Sequence, residues 1–175
     1  MSADAVKTTQ DESAPGTAAE PLVTIAIPTY NRADSFLPVV LEAALAQTWQ
    51  RLEILVGNNA STDGTEALLA SYDDPRIRTL NHERNLGANG NFNSLLEAAR
   101  GDWFLLFHDD DLIDPDFVAT CMGALEEGRD YGFIRTGVRA INHKGEVVKE
   151  VPNRMLGPTP ADFFRSWFRA RTGLY

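Results

Sequence analysis

Apolar residues fall into four short runs, each closed by a polar stretch and followed by an apolar stripe at helical spacing. The runs are Leu22–Ile27, Leu52–Val56, Ile77–Leu80 and Trp103–Phe107. They read as strands. The fourth has no polar face, so it is expected to be buried on both sides, as in a mostly parallel sheet. Pro28 is expected to end the first strand. Between the strands the pattern predicts a helix from an Asp34 or Ser35 cap to about Gln47, with Phe36, Val40, Leu41, Ala44 and Leu45 inward. Pro38 is tolerable there because it falls in the first turn. Further helices are expected over Thr65–Tyr72, over Asn91–Arg100 closed by Gly101, and over Pro115–Glu127 with Pro115 at the first helical position. Phe117, Val118, Cys121, Met122 and Leu125 form the inward side of the last one.

Strands alternating with helices predict an α/β fold with right-handed crossovers. After Glu127 the alternation stops. Tyr131–Arg135, Val138–Asn142 and Glu146–Val151 read as strands, with a hairpin turn at His143-Lys144-Gly145. Pro152–Pro160 reads as a loop. A last helix over Ala161–Arg171 gathers Phe163, Phe164, Trp167 and Phe168 on one side. Those aromatics close the domain's own core or dip into a membrane surface. Core packing is the commoner use of such a face.

Composition changes this picture in three ways. Residues 1–20 carry almost no large apolar side chain and read as a disordered tail, which leaves residues 21–175 as one domain. The net charge of −9, without a basic stripe, argues against nucleic acid as a partner. No apolar run approaches the ~18 residues of a membrane span, and the start lacks a signal-peptide plan. The single Cys121 suits a reducing compartment. A cytoplasmic protein is expected, with peripheral contact at the inner face of the membrane left open.

Three polar loops collect at the carboxyl ends of the strands: Thr29–Arg32, Asn58–Asp63 and His108–Asp111. Open α/β sheets bind ligands at that edge. Asp109, Asp110 and Asp111 are adjacent carboxylates that repel unless water or a cation compensates them. Such hard oxygen ligands suit Mg²⁺ or Mn²⁺. The same acids also read as a solvated turn ahead of a helix, and taken alone they do not decide. Asn31, Asn58 and Asn59 read equally as turn residues.

Taken together, Ile27–Arg32 (Ile-Pro-Thr-Tyr-Asn-Arg), Asn58–Thr65 (Asn-Asn-Ala-Ser-Thr-Asp-Gly-Thr), Arg84–Gly87 (Arg-Asn-Leu-Gly) and His108–Asp111 (His-Asp-Asp-Asp) resemble an inverting family 2 glycosyltransferase of the GT-A fold. The resemblance covers roughly Leu22–Glu127. It implies that Pro28, Thr29, Tyr30 and Asn31 line the base and ribose of a nucleotide. Asn58 and Asn59 stand where the family usually has an Asp pair, one of which reads the base edge. Arg84 and Asn85 are placed near the diphosphate and Asp109 near the ribose. Asp110 and Asp111 are the implied ligands of Mn²⁺ or Mg²⁺. His108 reads as structural.

The implied donor is a UDP-, GDP- or dTDP-linked sugar, and the acceptor a glycan or a lipid-linked glycan. The implied catalytic base lies past the metal motif and is not assigned to any residue. Asp162, the nearest acid, reads as a helix-start residue. The chain is therefore expected to be C-terminally incomplete. Two alternatives remain: a catalytically silent nucleotide-sugar-binding module, and a sugar-1-phosphate nucleotidyltransferase. The second is disfavoured because the first strand runs into Pro28-Thr29-Tyr30-Asn31 and not into a glycine-rich basic loop.

Overall fold

The structure is a computed structural model that describes residues 20–125 and 132–152. These divide into two compact units, Met1–Ala124 and Leu125–Tyr175, described separately. The expected Pro152–Pro160 loop and Ala161–Arg171 helix lie outside the described residues, apart from Pro152.

The first unit holds a parallel sheet of β1 (Val23–Thr29), β2 (Leu52–Asn58), β3 (Ile77–Asn81) and β4 (Trp103–Leu106) in the order β3-β2-β1-β4. Its helices are α1 (Leu37–Leu45), α2 (Thr65–Ala70), α3 (Gly87–Ala98) and α4 (Phe117–Gly123). The strand order steps from β1 through β2 to β3, then returns to β4 on the other side of β1. Right-handed crossovers then put α1 and α2 on one face and α3 on the other. On the α3 face, Ala26, Leu55 and Leu95 form a buried cluster closed by Leu80, Ala98, Ala99 and Phe104. On the opposite face, Ile25, Ile27, Ile54 and Val56 are fully buried, as are Leu37, Leu41 and Ala44 of α1. Each fully buried Ile, Leu or Val among them contributes about 1.5–3 kcal/mol.

Several boundaries differ from the sequence expectation, each for a local reason. β1 runs through Pro28 to Thr29. Along β1, Val23 and Thr29 bond toward β2, and Ala26 accepts from Phe107 on the β4 side. By alternation Pro28 faces the β4 side, beyond the last paired residue Leu106, so its missing N–H costs no ladder bond. β4 is half-buried along Trp103–Leu106 and not covered on both faces, because it pairs only with β1 among the described residues. α1 starts after Phe36 with no side-chain cap from Asp34 or Ser35, and Phe36 is 56% exposed. α4 starts two residues beyond Pro115. The buried Gln47 side chain accepts the Val118 N–H (3.0 Å) and donates to the Asp114 carbonyl (2.8 Å). That distant side chain supplies the cap that Pro115 was expected to replace.

Gly101 does not close α3 in a left-handed conformation. It is there for close approach: a Cβ would stand 2.6 Å from the Thr24 backbone nitrogen. Its N–H donates to Thr24 Oγ1 at 2.9 Å. Thr24 in turn donates to Glu53 Oε2 at 2.6 Å. Arg78 reaches Glu53 Oε1 with Nε (3.0 Å) and Nη2 (2.8 Å), and the Arg100 N–H donates to Oε2 (2.9 Å). Burial pushes the Glu53 carboxyl up, but the hydrogen bonds from Thr24, Arg100 and Arg78 outweigh it and hold it below its ordinary value of 4.5.

The second unit contains an antiparallel hairpin of β5 (Val138–Ile141) and β6 (Val147–Val151). Its turn is organised by Asn142, whose Oδ1 accepts from the Lys144 and Glu146 N–H groups, with Gly145 at φ +79. Residues 132–135 form no strand, contrary to expectation.

Two expectations follow for stability. Replacing Glu53 with Gln leaves Arg78 facing a neutral amide and is expected to cost about 3 kcal/mol in urea unfolding. Because the native carboxyl titrates below 4.5, its contribution is complete above that pH and is lost as pH falls through the lower native value. The wild type should therefore lose stability on acidification in a way that Glu53→Gln does not. Gly101→Ala, which drives a methyl into Thr24, is expected to cost about 1–3 kcal/mol. Gly123→Ala, with nothing within 4 Å, should be neutral or stabilising by up to ~1 kcal/mol.

Candidate nucleotide-binding site

The order of strands reverses between β1 and β4, and α/β sheets bind ligands at the carboxyl ends flanking such a switch point. An open cavity of about 430 Å³ lies there. Its wall is built from the end of β1 (Pro28, Thr29, Tyr30, Arg32), the loop after β2 (Asn59), the turn into α3 and its first turns (Asn85, Gly87, Ala88, Asn91, Phe92), and the end of β4 (His108, Asp109). The size falls within the range of small-molecule sites.

One hydrogen bond spans the switch point. Thr29 Oγ1 donates to Asp109 Oδ2 at 2.8 Å. Arg32 Nε stands 3.6 Å from the same oxygen. Asp109 is thereby fixed with its side chain 15% exposed. Tyr30 is 45% exposed and lines the cavity. Across the cavity, the Phe92 and His108 rings meet edge to face at 5.7 Å.

The asparagines divide into two groups. Asn58 and Asn31 build the loops. The buried Asn58 donates from Nδ2 to Asn81 Oδ1 (2.9 Å) and accepts the Ser61 N–H (3.1 Å). Asn31, left-handed at φ 55, accepts the Thr62 N–H at 2.8 Å. Neither lines the cavity. Asn59 and Asn85 do. Asn59 Oδ1 accepts the Leu86 N–H (2.8 Å), and its Nδ2 donates to Asn85 Oδ1 (3.0 Å) and the Gly87 carbonyl (3.4 Å). Asn85 Oδ1 also accepts the Gly87 N–H at 2.8 Å.

These bonds start α3 at Gly87, four residues before the predicted Asn91. Gly-Ala-Asn-Gly has poor helix propensity, and the tertiary bonds override it. That early start brings Gly87, which closes the Arg84–Gly87 motif, to the wall together with Ala88, Asn91 and Phe92, which sequence reasoning did not pick. Asn91 donates to the Gly57 carbonyl at 2.8 Å, and its Oδ1 lies 3.1 Å from His82 Nε2. A Cβ on Gly57 would stand 2.4 Å from that Oδ1. The glycine before the asparagine pair was therefore the missed signal of a close approach. His82 is half-buried and also lies 3.0 Å from Ser94 Oγ.

Asp110 and Asp111 follow Asp109 on the same turn, are exposed, and do not line the cavity. Arg84 is exposed and outside the wall as well. Among the described residues no three His, Cys, Asp or Glu side chains converge into a closed metal cage. The donor set still fits Mg²⁺ or Mn²⁺. Such ions are commonly held by one or two carboxylates, with water and substrate phosphates completing the shell. Among the described residues no helix is long and apolar enough to cross a membrane.

Comparison with known proteins agrees with this geometry. The family model "Glycosyl transferase family 2" matches residues 24–166. The succinoglycan biosynthesis protein ExoO of Rhizobium meliloti (strain 1021) is 40% identical over 96 residues, which is 55% of this chain and 27% of that protein. Chondroitin synthase of Escherichia coli is 29% identical over 130 residues, 73% of this chain and 19% of that enzyme. The chain thus spans about a quarter or less of these two relatives. Among solved structures, the mannosyltransferase PcManGT from Pyrobaculum calidifontis in complex with GDP-Man and Mn²⁺ superposes with a TM-score of 0.56 at 26% identity, covering 62% of this chain and 33% of that one. S. aureus TarS 1-349 in complex with UDP-GlcNAc gives a TM-score of 0.55 at 23% identity, over 58% and 30%, a likeness of fold. With the family model spanning most of its length and its sheet matching these folds, the chain belongs to glycosyl transferase family 2 and has the GT-A fold.

Proposed function

We propose that this chain forms the donor-binding part of an enzyme that transfers a sugar, with inversion, from a nucleoside diphosphate to a glycan or lipid-linked acceptor. The observation that carries the reading is the cavity at the β1/β4 switch point, where the Thr29–Asp109 hydrogen bond joins the two strand ends. Family membership supports the reaction class. The GDP-Man and Mn²⁺ bound to the Pyrobaculum neighbour support a nucleotide-sugar donor and a divalent cation.

In this reading, Pro28, Thr29 and Tyr30 receive the base and ribose, with Tyr30 flanking the base through its exposed ring. Asp109, fixed by Thr29, accepts from a ribose hydroxyl. Asn59 and Asn85 hold the facing wall. Asn31 and Asn58 act one step back, by shaping the loops that present Tyr30 and Asn59. Asp110 and Asp111 would hold Mn²⁺ or Mg²⁺ on the solvent side of Asp109, with Arg84 nearby. The ion, when bound, neutralises the charge that grows on the diphosphate as the anomeric bond breaks. Inversion also needs a carboxylate to take the acceptor proton, and no described residue is assigned that role.

Calorimetric titration of UDP, GDP and dTDP, with and without Mn²⁺, tests this reading. At least one nucleotide should bind more tightly with the metal. Asp110→Asn and Asp111→Asn together should abolish the metal-dependent increment, expected to be about tenfold or more. Absence of binding by every nucleotide under both conditions would sink the proposal. Asp109→Asn should weaken binding about tenfold with and without metal, as expected for losing one charged hydrogen-bond acceptor.

A further inference from the structure

A donor of this kind carries two phosphates, while the chain carries a net charge of −9 and exposes Asp110 and Asp111 beside the cavity. A permanent positive charge in the wall is therefore of interest. Among the residues that line the cavity, Arg32 alone carries one. Its backbone is clamped: the N–H donates to Thr65 Oγ1 (3.1 Å), and the carbonyl accepts from the Ser35 N–H (3.2 Å) and hydroxyl (3.3 Å). Its side chain is not clamped. It is 40% exposed, and Nε stands 3.6 Å from Asp109 Oδ2, outside hydrogen-bond range. Asp109 does not need this contact, since Thr29 already holds the same oxygen at 2.8 Å.

An exposed ion pair of that length is worth about 0–1 kcal/mol, so it is easily exchanged. A guanidinium fork matches paired phosphate oxygens better than it matches a carboxylate oxygen already occupied by a hydroxyl. We propose that Arg32 binds the diphosphate of the nucleotide donor, leaving Asp109 for phosphate oxygens when the nucleotide enters. The assignment rests on the donor-binding reading above and adds to it a residue that contacts the leaving group. Before the exchange, Arg32 serves as a counter-ion for Asp109.

The test compares UDP with uridine, and GDP with guanosine, by calorimetry on the full chain and on Arg32→Gln, Arg32→Lys and Arg84→Gln. Arg32→Gln should weaken diphosphate binding roughly tenfold to a hundredfold, the scale of a charge-assisted hydrogen bond, and leave nucleoside binding within about twofold. Arg32→Lys, which keeps the charge and loses the fork, should fall between wild type and Arg32→Gln. Arg84→Gln, at the other arginine placed near the diphosphate, should lose less affinity than Arg32→Gln. Melting temperatures within about 2 °C of wild type would confirm that the exposed substitutions leave the fold intact. Unchanged UDP and GDP affinity in Arg32→Gln overturns the assignment. So does an equal loss for nucleoside and diphosphate, which would make Arg32 a positioning residue for Asp109. A loss confined to Arg84→Gln transfers the role to that residue and likewise overturns it. A wild-type chain that binds no nucleoside diphosphate overturns the donor-binding reading itself, and this assignment falls with it.

Discussion

The buried carboxylate of Glu53 is the constraint on which the sheet depends. It is the second residue of β2, at the amino end of the sheet, 9% exposed at its side chain. A charge in that position is tolerable only if every lone pair is answered. Thr24 answers from β1, Arg78 from β3, and the Arg100 N–H from the connection between α3 and β4. Gly101 adds its N–H to Thr24, and Arg78 also donates to the Ala98 carbonyl at the end of α3. One side chain therefore ties three strands and the exit of α3 together. The energetic asymmetry of buried pairs makes this a specificity device as much as a stabiliser. Forming the network gains little over an apolar substitute, whereas removing one member leaves an unanswered charge. That asymmetry favours one register of β2 against β1 and β3.

The opposite end of the same sheet is organised differently. There the strands end in neutral amides and short hydroxyls. Asn58 pairs with Asn81 and Asn59 with Asn85, and together they hold the main chain of two loops. An amide donates and accepts at once, so a chain of asparagines can satisfy many backbone groups without importing charge. The result is a rigid wall with its charge gathered at the β4 turn, where Asp109, Asp110 and Asp111 stand. The ion-pair network at the amino end and the amide network at the carboxyl end are joined by strands whose Ile25, Ile27, Ile54, Leu55 and Val56 are fully buried. Little of the site can shift unless those strands move.

How legible this was from sequence depends on the range of the interaction that decides each feature. The four strands, the parallel arrangement and the convergence of three loops follow from period and punctuation, which are local, and the structure has them. The boundaries that differ are set from a distance. Pro28 stays within β1 because β4 has already ended beside it. α4 begins where Gln47 caps it. α3 begins at Gly87 because Asn59 and Asn85 hold its first turn. Apart from the Asn85–Gly87 bond, no short window of sequence contains both partners of those contacts. The same rule governs the site. Thr29, Asn59, Asn85 and Asp109 were read from motifs and line the cavity. Arg32 lines it too, at the end of the Ile27–Arg32 motif though given no role there, and so do Asn91 and Phe92, which no motif marked. Gly57 is the exception that could have been read, since a glycine inside an apolar strand signals that another chain segment comes close.

Neutral amides at Asn58 and Asn59, where the family usually carries acids, also bear on how charge is handled at the site. A carboxylate at Asn59 would face Asn85 Oδ1 and the Gly87 carbonyl, two acceptors, and would lose both donated bonds. The start of α3 would loosen with it. The amide thus serves the wall first, and the negative charge that a nucleotide site can tolerate is reserved for the β4 turn. This separation gives Arg32 its setting. Between an uncharged wall at Asn59 and an acidic turn at Asp109 to Asp111, it is the one fixed positive charge among the lining residues. It stands across the switch point from the acids, within reach of whatever anion enters between them.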